Sequence, residues 1–271
     1  MTEESRYLSF MGMRVHFQLM QPDGPVQYRM LMLSSPLINA FHWRKLLPEL
    51  AGLNCLAVLV DLPGFGLSES DLPWDEELTS NLVWGVLDAV DAASEAPMSM
   101  WHLAAQGCAC RVILRMAALY PDSVKSMIHL APTLSVRTGG KRAVDPLRWY
   151  DANIRDADRF RRMVEHYAAY PMDDYIVDRM RRPLLGPDVR SALNHYLRRA
   201  AIPPAEGCGF CPTMVIYGGR DPLLDETRTR QMHALLKGAE YHRLANAGHF
   251  PTETHSRAIR DYLRGWLRYN D

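Results

Sequence analysis

The sequence predicts an α/β fold: a mostly parallel sheet flanked by helices, with a helical cap inserted before the last two strands. Three observations carry this. Apolar runs of strand length, such as Tyr28–Leu33 and Cys55–Val60, read as strands buried on both faces. Stretches with helical spacing lie between such runs, one of them through Leu82, Val86, Leu87 and Val90. The alternation breaks at Ala131-Pro132 and resumes only near Thr213. Strand and helix in alternation build a parallel sheet with helices on both faces. Right-handed crossovers then set the loops after each strand along one sheet edge, where ligands bind.

Each element has its own signal. Residues 13–19 alternate as a half-buried strand does, and Gln21-Pro22-Asp23-Gly24-Pro25 is turn chemistry. After the apolar strand at 28–33 comes a short helix at 43–50, and the apolar strand at 55–60 ends at Asp61. A helix at 79–93, a strand at 98–104 and a helix at 108–119 follow, the last stopped by Tyr120-Pro121-Asp122. Residues 124–130 are a further strand. From there to about Pro204 the chain is rich in Arg and aromatics, with helical stretches at 156–167 and 188–199. Strand 213–217, helix 226–236, strand 241–244 and helix 254–267 complete it. The expected organisation is a core of residues 1–132 and 205–271 with a helical cap at 133–204.

Bulk properties narrow the function classes. A chain of 271 residues suits one α/β domain with an insertion. It is 48% hydrophobic and 23% charged, as a globular protein with a packed core is. Lys plus Arg and Asp plus Glu balance at 31 each, so no net field favours nucleic acid or an anionic membrane. No apolar run approaches the ~18–20 residues of a membrane helix, and the acidic start lacks a signal-peptide layout. The cytosol is the expected compartment, and a small-molecule substrate the expected partner of a monomer or homodimer. Five cysteines, an odd number, make no disulfide framework. Cys208 and Cys211 have C-x-x-C spacing, but no second pair completes a zinc site, and the pair precedes a strand rather than a strand-to-helix junction. It reads as coincidence. No metal or organic cofactor is expected.

Four segments carry chemistry. Asp61-Leu62-Pro63-Gly64-Phe65-Gly66-Leu67-Ser68 follows a buried strand. A strand, a sharp turn and a helix run through residues 98–120 to Pro121. Tyr217-Gly218-Gly219-Arg220-Asp221-Pro222 closes another strand, and Asn246-Ala247-Gly248-His249-Phe250-Pro251 lies near the C-terminus. In this order and spacing the four resemble the α/β-hydrolase superfamily, in its capped small-molecule branch. The resemblance covers nearly the whole chain except the cap. It implies an Asp-x-x-Gly-x-Gly-x-Ser turn, a nucleophile elbow, an acid at Asp221 and a base at His249, the carboxylate orienting the histidine.

The elbow departs from the family. A nucleophile there stands between small residues two before and two after it. Ala105-Gln106-Gly107-Cys108-Ala109 fits that rule, with Gly107 at the centre. The family's Tyr-Pro stop lies about fourteen residues on from the nucleophile, and Pro121 lies fourteen residues from Gly107. Glycine has nothing to attack with, although it relieves the strained backbone of such a turn. Cys108 as nucleophile would put Gln106 at a small-residue position, and Cys110 would do the same with Val112. Cys108 therefore reads as a pocket residue whose N–H can face an anion.

A second departure is independent. The family carries His-Gly-x after its first long buried strand, with a tryptophan about nine residues on, and the N–H of x forms half of an oxyanion hole. Counting back from Trp43 gives Ser34-Ser35-Pro36, so x is Pro36, which has no N–H. Losing one such donor costs about 100–1000-fold in turnover. The Ser34 and Ser35 hydroxyls either replace the donor or close a turn.

Trp149, Tyr150, Tyr167 and Tyr170, with Phe160 and Tyr175, are candidates to line an aromatic substrate pocket, packing of the cap being their competing use. The many cap arginines read mainly as a solvated face, and His42 and His102 as structural. The favoured reading is a non-covalent acid/base enzyme. Its His249–Asp221 dyad would move a proton on a small, aromatic or polyketide-like metabolite, in lyase, cyclase, isomerase or cofactor-free oxygenase chemistry. The alternatives are an inactive ligand-binding protein, and a weak hydrolase using activated water or Cys108.

Overall fold

The computed structural model describes residues 1–70, 74–94, 100–134, 145–199 and 211–270. Its eight strands form one sheet: β1 (Thr2–Phe10), β2 (Met13–Gln21), β3 (Tyr28–Leu33), β4 (Cys55–Val60), β5 (Trp101–Gln106), β6 (Val124–Leu130), β7 (Thr213–Gly218) and β8 (Glu240–Leu244). The spatial order is β1-β2-β4-β3-β5-β6-β7-β8. β1 with β2 and β2 with β4 pair antiparallel, and every other neighbour is parallel. The α-helices are α1 (Leu47–Gly52), α2 (Glu76–Ala92), α3 (Cys110–Leu119), α4 (Pro146–Asn153), α5 (Ala157–Ala168), α6 (Asp174–Arg181), α7 (Val189–Arg199), α8 (Glu226–Leu235), α9 (Pro251–Thr254) and α10 (Ser256–Tyr269).

The apolar runs of the central strands follow from burial on both faces. Side chains alternate across a strand. Leu31, Val58, Leu103 and Met127 enter one apolar cluster with α2, α3 and α8. Their neighbours Met30, Ala57, Ala104 and Ile128 enter a second, with Trp43 and Leu46 and with Ile259 and Trp266 of α10. Helices α4–α7 fall between β6 and β7, as the sequence predicts for the cap. Phe160, Val164, Val177, Met180, Leu193 and Tyr196 of that segment join the first cluster, so it packs continuously onto the sheet domain. Its arginines lie largely outward and pair with acids of the same segment, as Arg161 does with Glu165, Arg182 with Asp178 and Arg190 with Asp151.

Elements with weak or short signals escape the sequence reading, the four-residue helix α9 among them. β1 is an edge strand with polar residues on both faces, and only Leu8 and Phe10 pack on the core. α4 and α6 are eight residues each, too short for helical periodicity to declare itself. Met98 and Ser99 of the expected 98–104 strand, Cys208, and the expected end of the cap near Pro204 lie outside the described residues. Among the described residues no helix is long and apolar enough to cross a membrane.

Because β3–β8 are parallel, the loops that follow them share one edge. Ser34–Pro36 follow β3, Asp61 follows β4, Gly107 follows β5, Asp221 follows β7 and His249 follows β8.

Candidate active site

Asp221 sits on the turn that leaves β7. The turn is held against the next loop: Gly219 N–H donates to Leu244 O at 2.8 Å and Arg220 N–H to Ala247 O at 2.9 Å. Gly218 permits the approach, since a Cβ there would lie 2.3 Å from the carbonyl oxygens of Ala247 and Gly248. The Asp221 side chain is wholly buried and both its oxygens are used. Oδ1 accepts from Leu223 N–H at 2.8 Å, and Oδ2 faces His249 Nδ1 at 2.8 Å. A carboxylate at Nδ1 places that proton on Nδ1 and leaves the Nε2 lone pair facing the site.

The histidine is fixed from two further sides. Gln106 Nε2 donates to its carbonyl at 3.0 Å, and its own N–H donates to Tyr167 O at 2.7 Å. The Tyr167 ring meets the imidazole edge-on at 6.4 Å between centroids. Burial pushes the Tyr167 phenol pKa up, and the Asp221 charge adds to it.

Gly107 opens the turn from β5 towards α3 with φ +59°. Residues with side chains rarely adopt that conformation. A Cβ at Gly107 would lie 3.3 Å from His249 Nε2, 3.1 Å from Ser35 Cβ and 3.4 Å from Ser35 Oγ. Ser35, Cys108 and His249 therefore surround this glycine. Ser35 Oγ lies 3.2 Å from Cys108 Sγ. Burial pushes the Cys108 thiol pKa up and outweighs its hydrogen bonds, so it stays protonated at neutral pH. Cys110 is raised further by burial and by Cys108, and its thiol donates to Ala105 O at 3.3 Å.

The remaining sequence candidates fall in several places. Ser34 Oγ accepts from Trp43 Nε1 at 2.9 Å and is committed to that contact. Pro36 is buried in the turn closed by Ile38 N–H on Ser35 O at 2.9 Å. Tyr150 is buried with its hydroxyl donated to Leu184 O at 2.6 Å. Trp149 packs half-buried on the apolar cluster, and Tyr170 is exposed. Of the four aromatic candidates, Tyr167 is the one in ring contact with His249. His102 bonds Ser126 Oγ at 2.7 Å, away from the site.

Sequence reasoning misses a charged cluster behind the dyad. Glu253 is buried, accepts from Arg44 Nη2 at 2.7 Å and lies 3.1 Å from Lys45 Nζ. His42 Nδ1 stands 3.4 Å from the same carboxylate, and its Nε2 meets Thr252 Oγ1. Burial works against a charged Glu253, but the bonds from His42 and Arg44 outweigh it and hold the carboxyl well below its usual range. Burial pushes the His42 pKa down. The Phe250 ring lies between the two imidazoles, 5.4 Å from His249 and 5.7 Å from His42. The partners lie more than 200 positions apart, so no local pattern marks them.

An eight-stranded, mostly parallel sheet with an inserted helical segment and a histidine–aspartate pair on its last two strand loops defines the α/β-hydrolase fold. A family model described as "Alpha/beta hydrolase family" matches residues 37–262, and the chain belongs to that family. Solved structures agree in fold at low identity. The epoxide hydrolase CorEH is 17% identical with a TM-score of 0.80, each chain covered in full. The haloalkane dehalogenase DbeA from Bradyrhizobium elkani USDA94 is 16% identical with a TM-score of 0.78, 99% of each chain covered. The enol-lactonase from Burkholderia xenovorans LB400 is 16% identical with a TM-score of 0.78, over 97% of this chain and all of the other. No curated protein matches the chain.

Proposed function

We propose that Gly107 occupies the place of the family's nucleophile. On this reading His249, held by Asp221, acts as the general base of a reaction on a small molecule with no covalent intermediate at the elbow. The observation that carries this is the distance from His249 Nε2 to the Cβ position of Gly107, 3.3 Å, where a nucleophilic side chain would begin. The base and its orienting acid are in hydrogen-bond register, yet the residue they face has no side chain. A base so placed takes a proton from whatever fills that space, an acidic C–H or O–H of a ligand or a water. Ser35 Oγ and the Cys108 thiol border the same space and offer hydrogen bonds to a developing anion.

The test compares wild type with His249→Ala on two panels: carbon acids read by solvent deuterium exchange, and activated esters read by hydrolysis. Exchange that falls at least 100-fold in His249→Ala is the expected result. Exchange equal in both proteins overturns the reading.

A second reading, hydrolysis by a water that His249 activates, is favoured by the family and by the hydrolase names its solved neighbours carry. Ester turnover that depends on His249 and survives Cys108→Ala would select it.

A further inference from the structure

A second hydroxyl–imidazole–carboxylate string lies on the other flank of the sheet. Ser5 Oγ is 2.7 Å from His16 Nε2, and His16 Nδ1 is 2.8 Å from Asp61 Oδ2. β1 and β2 pair with Ser5 opposite Gln18 and Tyr7 opposite His16, so these side chains leave one face of the sheet together. Asp61 follows β4 and is wrapped by the turn it opens. Leu67 N–H donates to Oδ2 at 3.0 Å, and Ser68 Oγ donates to the Asp61 carbonyl at 2.7 Å while accepting from His16 N–H at 2.9 Å. Gly66 allows the wrap: its φ is +60°, and a Cβ there would stand 2.2 Å from the Asp61 carboxylate.

His16 and Asp61 are 2% and 9% exposed, whereas Ser5 is open to solvent. A tie between two strands needs only the buried pair. The added hydroxyl matters chemically. In the tautomer that donates its Nδ1–H to the Asp61 carboxylate, Nε2 accepts from the Ser5 O–H. A cavity of about 610 Å³ opens on the same face of β1 and β2, lined by Glu3, His16, Asp61, Arg44, Arg179 and Arg182 among others, and Ser5 stands beside this lining through its bond to His16. That is the size of a small-molecule site. Arg44 is tied to Glu253 and Arg182 to Asp178. Arg179 lies over the Phe41 ring at 5.0 Å and has no carboxylate partner among the described residues.

We propose that Ser5, His16 and Asp61 form a second acyl-transfer site, taking small esters with an anionic group that Arg179 receives. Ser5 Oγ bonds to the acyl carbon as its proton passes to His16 Nε2. Collapse of the adduct breaks the ester C–O bond, and the leaving oxygen takes that proton. Water then attacks the acyl-Ser5 carbon, gives a proton to His16 and releases the acid, and Ser5 recovers its proton. Asp61 holds the imidazole and balances its charge. This site is independent of Gly107 and His249.

The test treats the full chain with a fluorophosphonate and locates the adduct by peptide mass. Adduct on Ser5 is expected in wild type and in His249→Ala, with about 100-fold slower labelling in His16→Gln. 4-Nitrophenyl hemisuccinate should be cleaved faster than 4-nitrophenyl acetate, a preference lost in Arg179→Gln and cleavage lost in Ser5→Ala. No adduct on Ser5, or equal rates in wild type and His16→Gln, overturns the proposal. Should His16→Gln not fold, Ser5→Cys decides. Alkylation half-maximal well below pH ~8.5 supports activation by His16, and a midpoint at about 8.5 overturns it.

Discussion

The backbone N–H of His249 donates to the carbonyl of Tyr167 across 2.7 Å, so the loop that carries His249 is tied to the last turn of α5. The tie needs Gly248. A Cβ there would lie 2.3 Å from Tyr167 O and 2.4 Å from the Ala168 carbonyl, both backbone atoms that cannot rotate away. Gly248→Ala is therefore expected to push loop and helix apart. The stability loss should be about 1–3 kcal/mol, read by chemical denaturation. Any turnover that depends on His249 should fall with it. An unchanged midpoint would mean that helix and loop separate freely.

Asp221→Asn keeps the shape and removes the charge. Oδ1 still has Leu223 N–H to accept, so the turn should survive, with a melting midpoint within a few degrees of wild type. The imidazole loses the partner that fixes its tautomer and stabilises its protonated form. A reaction using His249 as base should slow by up to about 10⁴-fold. If the pocket only binds a ligand, its dissociation constant should move far less than tenfold. Steady-state rates beside calorimetric titration of one ligand separate the two.

Stability should fall in mild acid because of His129. This histidine lies on β6, is fully buried, and burial pushes its pKa down to about 3. The unfolded chain titrates it near 6.5, so below that pH the unfolded state binds the proton first. Its contribution is complete above pH ~6.5 and is lost towards pH ~3, at about 1.4 kcal/mol per pH unit at most. His42, also pushed down by burial, acts in the same direction. Denaturant midpoints between pH 7 and 4 should fall steeply in wild type and less steeply in His129→Leu. Parallel curves would exclude His129 as the cause.

The buried thiols should be silent. Burial raises the pKa of Cys55 well above its ordinary value, as it does for Cys108 and Cys110. Iodoacetamide at pH 7.5 should alkylate none of these three in the folded chain and all three in denaturant, mapped by peptide mass. Cys108→Ala should lower turnover, as the loss of one weak donor to a developing anion does, without abolishing it. Rapid alkylation of folded Cys108 would restore it as a nucleophile candidate.

How far the sequence announces this site depends on the range of the interaction that builds each part. Gly107 is legible because its turn needs a positive φ, and the small residues around it are a local consequence. Asp221 and His249 stand beside glycines that let two loops approach within van der Waals limits, which marks both loops in the sequence. The Arg44–Glu253 contact joins residues 209 apart, each unremarkable in its own segment. The aromatic candidates are alike as letters. Only the fold turns Tyr167 towards His249, commits the Tyr150 hydroxyl to Leu184 and leaves Tyr170 in solvent. β1 is silent because an edge strand can satisfy its backbone against β2 while burying little of its own.

Gly107→Ser asks whether the elbow retains its geometry. A serine there must hold φ near +59°, at a cost of about 1–2 kcal/mol for a residue with a Cβ. Its Cβ would stand 3.1 Å from Ser35 Cβ, tight enough for Ser35 to give by a few tenths of an ångström. With the Cβ 3.3 Å from His249 Nε2, the hydroxyl falls within hydrogen-bond reach of that nitrogen. The expected outcome is a modest loss of stability and a new fluorophosphonate adduct at residue 107, abolished by His249→Ala. Running it in a Ser5→Ala background keeps the two hydroxyls apart. Turnover should stay low, because Pro36 supplies no backbone N–H to an oxyanion at that position. A folded Gly107→Ser chain with no adduct would mean that His249 Nε2 does not serve this position as a base.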